Sequence, residues 1–458
     1  MKFRILPLPL LLCSLVSARA HAQDRRTVSE PVIPPLCATL DAQLASAGRT
    51  LAPADEARLD TARIQRALDR CGQGQGVLLT ARGQRNAFLA GPLQLRAGVT
   101  LIVARGVTLF ASRDASLYAV APGSCGIVRR GQGPPRGCKP LISVDRAADA
   151  AVMGDGVIDG RGGERMLGSP YSWWDLAEQA RQGGAQQCFR LIVAQHSDNF
   201  TLYRITLKNS PNFHVTFGYG DGFTVWGLKI DTPQRLARNT DGVDPGPDAH
   251  DITITHSYLR EGDDNVAIKG GLPGGVSHVT VSHNHFYWGH GMSIGSETSG
   301  GVSQVRVFDL SLDGPDNGIR IKSNGSRGGL TADVLYDDVC IRNSPHPITL
   351  DTAYTASGTL RGNSPPSMRD IVLQNVRVSG GGRITFNGYD SAHRIAVALN
   401  GVQITDRANY QYDVDHADIV LGPQPTNLQL PRGNDSTLNG HAANGSPASC
   451  ADLFVPFP

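Results

Sequence analysis

The sequence predicts an all-β chain wound into a parallel β-helix and closed at its start by a short capping helix. Three observations predict it. From Phe200 onward, short strand-forming triplets recur without a break. They begin at Phe200, Phe223, Ile252, Val279, Val305, Val334, Ile371 and Ile395, at intervals of 23 to 37 residues. A second strand in each unit starts at one column, held by Val243, Val266, Met292 and Ile319 at intervals of 23 to 27 residues and continued by Ile348 and Ile384. Loop lengths between the strands vary, whereas the strands do not, as in a coil whose turns stack at roughly 4.8 Å. An all-β sandwich would instead show tight antiparallel hairpins every ~8–12 residues. Clean Asn-Gly or Asp-Gly hairpin signals are few here.

The elements follow in order. Lys2 and Arg4, the apolar run from Ile5 to Val16 and the small-residue site Ala20-His21-Ala22 read as a secretory signal over residues 1–22. Cleavage after Ala18-Arg19-Ala20 is the second option. That apolar run is too short to span a bilayer, and no later segment is long and apolar enough, so the sequence predicts an exported soluble protein with no membrane partner. The β-helix domain is expected over residues 23–425. Its first part, to residue 60, is polar and weakly periodic. Thr61 then reads as an N-cap, with Ile64, Ala67, Leu68 and Cys71 on one helical face. After Gly72 come short strands at Val77-Leu78-Leu79, Ala87-Phe88-Leu89, Val99-Thr100-Leu101 and Val107 to Phe110. Residues 113–140 read as a long loop and Tyr171 to Arg181 as one short helix. The Asn/Gly/Pro/Ser-rich end, residues 426–458, reads as an irregular C-terminal cover.

Composition bounds the function. Hydrophobic residues make up 40% and charged residues 18%, enough apolar side chain for a continuous core. The 43 Lys+Arg and 41 Asp+Glu leave +2 with no polybasic run, which argues against nucleic acid. With Cys13 removed in the signal, seven cysteines remain, and outside the cell they are disulfide candidates. Cys125 and Cys138 flank one loop and form a natural local pair. Cys37 and Cys71 bracket the first helix and could also pair. Of Cys188, Cys340 and Cys450 at least one is free. No C-x-x-C spacing points to structural zinc.

The strand column carries chemistry. Two residues before Val243, Val266, Met292 and Ile319 stand Asp241, Asp264, His290 and Asn317, with Asp263 beside Asp264. Stacked one rung apart, two carboxylates repel by about 3–4 kcal/mol at an effective dielectric near 20. The cluster therefore holds a proton, leaving a donor opposite an anionic base, as glycosidic hydrolysis requires. His290, one rung on, can tune that proton. Arg320 and Lys322 alternate with Ile319 and Ile321, so both cations leave the strand on one side if the isoleucines point inward. Two cations beside an acid cluster suit a sugar that carries its own carboxylate. Singly, each motif has a plainer reading: an Asp-Asp corner or calcium ligand, a Gly-His-Gly turn, a solvent-facing strand. Their shared register is what points to a site.

Asn239-Thr240-Asp241, Gly262-Asp263-Asp264, Gly289-His290-Gly291 and Arg320-Ile321-Lys322 resemble, in order and spacing, the motifs of the polygalacturonases of glycoside hydrolase family 28. The likeness extends to secreted bacterial endopolygalacturonases through Gly156 to Gly160, Ser172-Trp173-Trp174, Ser210 to His214, Asp263 to Lys269 and Gly291 to Thr298, and covers most of residues 27–400. It implies a single-stranded right-handed parallel β-helix and inverting hydrolysis of α-1,4-linked galacturonan in pectin, by a monomer. It also implies roles: Asp263 as general acid, Asp241 and Asp264 activating water, His290 supporting the protonation of Asp263, and Arg320 and Lys322 binding the substrate carboxylate. Tyr354 and Asn239 are implied as substrate contacts, with no metal and no organic cofactor. Three other readings stand beside it: an exo-acting or rhamnogalacturonan hydrolase, a calcium-dependent pectate lyase on a similar β-helix, and a non-catalytic glycan-binding β-helix.

Overall fold

Parallel pairing of each coil with the next winds the chain into a right-handed parallel β-helix, seen here in a computed structural model that describes residues 23–48, 50–131, 137–355, 362–445 and 449–458. The expected signal over residues 1–22 lies outside the described residues. The strands form a 21-stranded sheet and an 11-stranded sheet, with parallel pairing between successive coils. The larger sheet carries two lanes. In early coils they are separate strands, such as Phe200–Tyr203 and Thr206–Lys208. In later coils they fuse into runs such as Val302–Asp313 and Leu330–Arg342.

The corner between the lanes has a local cause. Tyr203, Trp226, Thr255, Ser282, Phe308 and Asp337 pair in one register. The residue after each is left-handed: Arg204, Gly227, His256, His283, Asp309 and Asp338 have φ between 49° and 66°. One left-handed residue at this corner of each coil turns the chain, a demand that glycine meets at least cost and Asp meets at less cost than most other side chains. The interior is a continuous apolar stack. Val243, Val266, Met292, Ile319, Ile348 and Ile384 are all fully buried and lie one above another, as their column predicts.

The first helix spans Thr61–Arg70 and buries Ile64 and Leu68 against the open N-terminal end. Its N-cap is Asp60, not Thr61. Asp60 Oδ2 accepts from the Leu89 amide at 3.1 Å, while Thr61 Oγ1 accepts from the Gly91 amide at 2.8 Å, so both side chains serve the neighbouring coil. Residues 23–60 are more ordered than their polarity suggests, for Leu36–Asp41 pairs in parallel with Gln75–Thr80. The second helix expected from sequence spans Trp173–Ala180 and starts with a Ser172/Asp175 capping box. The long loop after residue 113 holds a one-turn helix, Ala115–Tyr118, and a strand, Ile127–Arg129.

Cys37–Cys71 and Cys125–Cys138 are bonded, Cys340 pairs with Cys450, and Cys188 is free. That third bond belongs to a tail that departs from an irregular cover. Thr437–Gly440 adds one more parallel strand onto Ala417–Leu421. The chain then doubles back along the flank: Tyr287 Oη donates to the Val455 carbonyl at 3.0 Å, and the Arg260 guanidinium lies 3.9 Å over the Phe457 ring. The tail thus braces coils far from the C-terminal end. Among the described residues no helix is long and apolar enough to cross a membrane.

Candidate active site

The site lies on the outer face of the 11-stranded sheet, where the residue after each buried column residue points outward. Val243–Pro245, Val266–Ile268, Met292–Ile294 and Asn317–Lys322 are four neighbouring strands. Ile319 and Ile321 point into the core, so Arg320 and Lys322 emerge together on the outer face. Asp241, Asp264 and His290 sit in the turns that feed the first three strands. Those turns pack closely: Gly291 has φ +76°, and a Cβ there would run into the Asn317 carbonyl oxygen of the next coil.

All eight residues singled out from sequence line one cleft of 590 Å³: Asn239, Asp241, Asp263, Asp264, His290, Arg320, Lys322 and Tyr354. Asp263 Oδ1 meets His290 Nδ1 at 3.0 Å and accepts from the Asp264 amide at 3.0 Å. Asp264 is more heavily bound. Its Oδ1 accepts from Ser293 Oγ at 2.7 Å and from Arg320 Nη1 at 3.3 Å, and its Oδ2 accepts from Lys322 Nζ at 2.6 Å. Tyr354 faces both cations, with Arg320 Cζ 5.1 Å and Lys322 Nζ 5.2 Å from its ring centroid. Asp263 keeps 18% of its side chain exposed, against 4% for Asp241 and 2% for Asp264, so it is the aspartate most open to a bound chain.

Sequence reasoning missed Lys269 and Asp244 as functional groups. Lys269 Nζ bridges Asp241 Oδ2 at 2.7 Å and Asp244 Oδ2 at 2.9 Å. Both were legible. Asp244 follows Val243 as Arg320 follows Ile319, and Lys269 stands three residues past Val266 as Lys322 stands three past Ile319. His214 was also passed over as a support. Its Nδ1 lies 3.0 Å from the Thr240 carbonyl and 3.1 Å from that of Asp241, so it donates, and Nε2 then accepts from Thr232 Oγ1 at 2.9 Å. Burial pushes its pKa down to about 4, so it stays neutral and anchors the loop that carries Asp241.

The four carboxyls of the cluster are shifted in opposite directions. Burial pushes Asp241 well above the usual carboxylate value, and the Lys269 charge only partly offsets it. Burial also pushes Asp244 up to about 6. Burial acts on Asp263 too, yet the His290 hydrogen bond and charge, then Lys322 and Lys269, bring it below its usual value. Against the same burial, Lys322 and Arg320 bring Asp264 down. His290 rises despite burial, because Asp263 stabilises its imidazolium. Asp263 and His290 thus stabilise each other's charged forms, and the Asp241 and Asp244 carboxyls hold a proton more readily than those of Asp263 and Asp264. Counting carboxylates alone does not separate them, because cations are distributed unevenly across the rungs.

Asp263, Asp264 and His290 each offer one ligand atom within 4.8 Å of the others. Three donors of this kind can hold a cation. The Asp264 oxygens are already taken by Ser293, Arg320 and Lys322, however, and two fixed positive charges there oppose another.

A family profile described as "Glycosyl hydrolases family 28" matches residues 88–417. This chain belongs to glycosyl hydrolase family 28. It is 42% identical to a protein named endo-polygalacturonase from Pectobacterium carotovorum subsp. carotovorum, over 89% of this chain and 96% of that one. It is 34% identical to a polygalacturonase of Ralstonia nicotianae, over 97% of this chain and 96% of that one. Among solved structures, the polygalacturonase from Erwinia carotovora ssp. carotovora superposes with a TM-score of 0.78 at 39% identity, covering 87% of this chain and all of that one. The family-28 site residues expected from sequence thus stand in a family-28 chain, in one cleft.

Proposed function

We propose that this chain is an endo-polygalacturonase that hydrolyses α-1,4-galacturonosyl linkages of polygalacturonate and pectin with inversion. The observation that carries the reading is the convergence of three aspartates, one histidine and the Arg320–Lys322 pair in a single cleft. Its near full-length likeness to endo-polygalacturonases supports the endo mode. Arg320 and Lys322 receive the carboxylate of the unit on the leaving-group side, and Tyr354 packs beside it. That carboxylate neutralises charge that holds Asp263 down, so the proton on His290 passes to Asp263. Asp263 then protonates the departing glycosidic oxygen while ionised Asp241 and Asp264 activate a water on the opposite face. The same reading makes the protein a secreted monomer without nucleic-acid or membrane partners. Three disulfides support export, since they persist outside the cytosol.

The test is incubation with polygalacturonate, following product size, reducing ends and absorbance. Falling chain length with a spread of oligomers, no conjugated double bond and full activity in EDTA are expected. Conjugated products and EDTA sensitivity would favour the calcium-dependent lyase, which the Asp263–Asp264–His290 cluster alone recommends. Release of monomer only would make it exo-acting, and binding without cleavage a glycan-binding module. Truncating Arg320 or Lys322 should raise KM for unesterified substrate by about tenfold or more, from loss of a charge-assisted hydrogen bond. Equal loss on fully methyl-esterified pectin would contradict their role.

A further inference from the structure

The tail that reverses along the flank reaches the two turns that carry Asp263 and His290. It is fastened at Cys450 by the bond to Cys340. From there it runs over the second lane of the larger sheet, against one coil after another. Leu259 pairs with Phe286, Phe286 with Leu312 and Asp313 with Arg342, so Arg260, Tyr287, Asp313 and Arg342 stand at one position of successive coils. The tail meets three of them. The Arg342 guanidinium lies 4.3 Å over the Phe454 ring, and Tyr287 Oη donates to the Val455 carbonyl at 3.0 Å. The Phe457 ring meets Tyr287 edge-on at 5.4 Å and the Arg260 guanidinium at 3.9 Å.

The last of these contacts matters because of what Arg260 holds. Its Nε and Nη2 bond Asp231 Oδ1 on the preceding coil, each at 2.8 Å. Its guanidinium also lies 4.6 Å over the Trp288 ring on the next coil, and rings beside a guanidinium attract and orient it. Trp288 Nε1 in turn donates to the Thr232 carbonyl at 3.0 Å. Arg260 stands three residues before Asp263, and Trp288 two before His290. One guanidinium therefore pins the outer flank of both turns. On their inner side Asn265 Nδ2 donates to the Trp288 carbonyl at 3.1 Å, and Asn265 Oδ1 accepts from the Gly291 amide at 3.0 Å. Between these two pins the His290 amide donates to the Asp263 carbonyl at 2.7 Å, and His290 Nδ1 meets Asp263 Oδ1 at 3.0 Å. Hydrogen bonds weaken steeply with misalignment, so the relative placement of the two turns sets the strength of that contact.

We propose that Phe457 is a positioning residue for the passage of a proton from His290 Nδ1 to Asp263 Oδ1. Its ring holds Arg260 against Trp288 and so fixes the turn at Gly262 against the turn at Gly289. Among the described residues the tail lines no part of the catalytic cleft, so Phe457 acts through Arg260 and Trp288 rather than on the substrate. The proposal rests on the hydrolase reading above.

The test compares Phe457→Ala, Phe457→Tyr and Cys450→Ala, each in the intact chain, with the wild type. Melting, kcat and KM on polygalacturonate across pH, and NMR titration of the His290 imidazole are measured. Phe457→Ala should lower kcat by about tenfold with KM within about twofold, short of the roughly hundredfold that a misplacement of about 1 Å can cost. Asp263 stabilises the His290 imidazolium, so a looser contact lets His290 lose its proton at lower pH. Asp264, Asp316 and Arg320 also face that ring and are unaltered by the variant. The titration midpoint and the alkaline limb of kcat should both fall by about half a unit to one unit, the size a weakened hydrogen bond gives. Phe457→Tyr keeps the ring and should restore both. Cys450→Ala unfastens the tail and should act in the same direction by a smaller factor. A lower melting temperature with wild-type kcat and midpoint in Phe457→Ala would overturn the proposal, because the ring would then only stabilise the fold. A wild type that leaves polygalacturonate whole would overturn the hydrolase reading instead. The imidazole midpoint then judges the Phe457 contact by itself, and an unshifted midpoint overturns that as well.

Discussion

The two halves of the catalytic face are built from the same parts and behave oppositely. On one, Asp263 and Asp264 face three cationic groups, His290, Arg320 and Lys322, and both carboxyls fall below their usual range. On the other, one coil away, Asp241 and Asp244 share one ion-pair partner, Lys269, with Arg190 acting only through space, and both rise. Burial presses on all four alike. The balance of cations within reach decides the sign.

The largest test of that contrast is Asp263→Asn. It removes the acid but keeps the shape, so kcat should fall by about a hundredfold to ten-thousandfold while the melting temperature holds. Near-normal turnover would move the acid to another residue. Next is Lys269→Met. It leaves Asp241 and Asp244 buried without their shared cation, and stability should drop by about 3–5 kcal/mol in denaturant titration. Since Lys269 lowers Asp241, its loss raises that carboxyl further, so the acidic limb of the activity profile should move to higher pH. A limb that moves to lower pH would contradict Asp241 as the ionised partner.

The smallest expected effect concerns Glu261, fully buried beside this face and pushed well above its usual value of 4.5 by burial. Asn265 Nδ2 donates to its Oε1, and Asn265 Oδ1 accepts from the Gly291 amide at 3.0 Å, so a neutral carboxyl steadies the His290 turn. The folded state binds this proton more tightly than the unfolded state. The stabilisation is therefore complete below pH 4.5 and is lost as pH climbs toward the raised folded value. Glu261→Gln should flatten that decline and melt higher than the wild type at neutral pH. An unchanged slope would show that Glu261 is ionised in the fold.

The sequence legibly carried the coil, the buried column and the eight cleft residues, because stacking converts one-dimensional register into three-dimensional proximity. Val243, Val266, Met292 and Ile319 needed only counting. Register equally placed Asp244 and Lys269, but single charged residues on or beside a strand look like ordinary surface until the cleft is seen. Three things were decided by the tertiary structure alone. Cys340 and Cys450 lie 110 residues apart, and their bond depends on a tail that reverses along the flank. The N-cap at Asp60 is set by its hydrogen bond to another coil. Asp241 is shifted up while Asp263 is shifted down, because burial and the distances to Lys269, Lys322 and His290 fix the electrostatic balance, and no spacing along the chain encodes those distances.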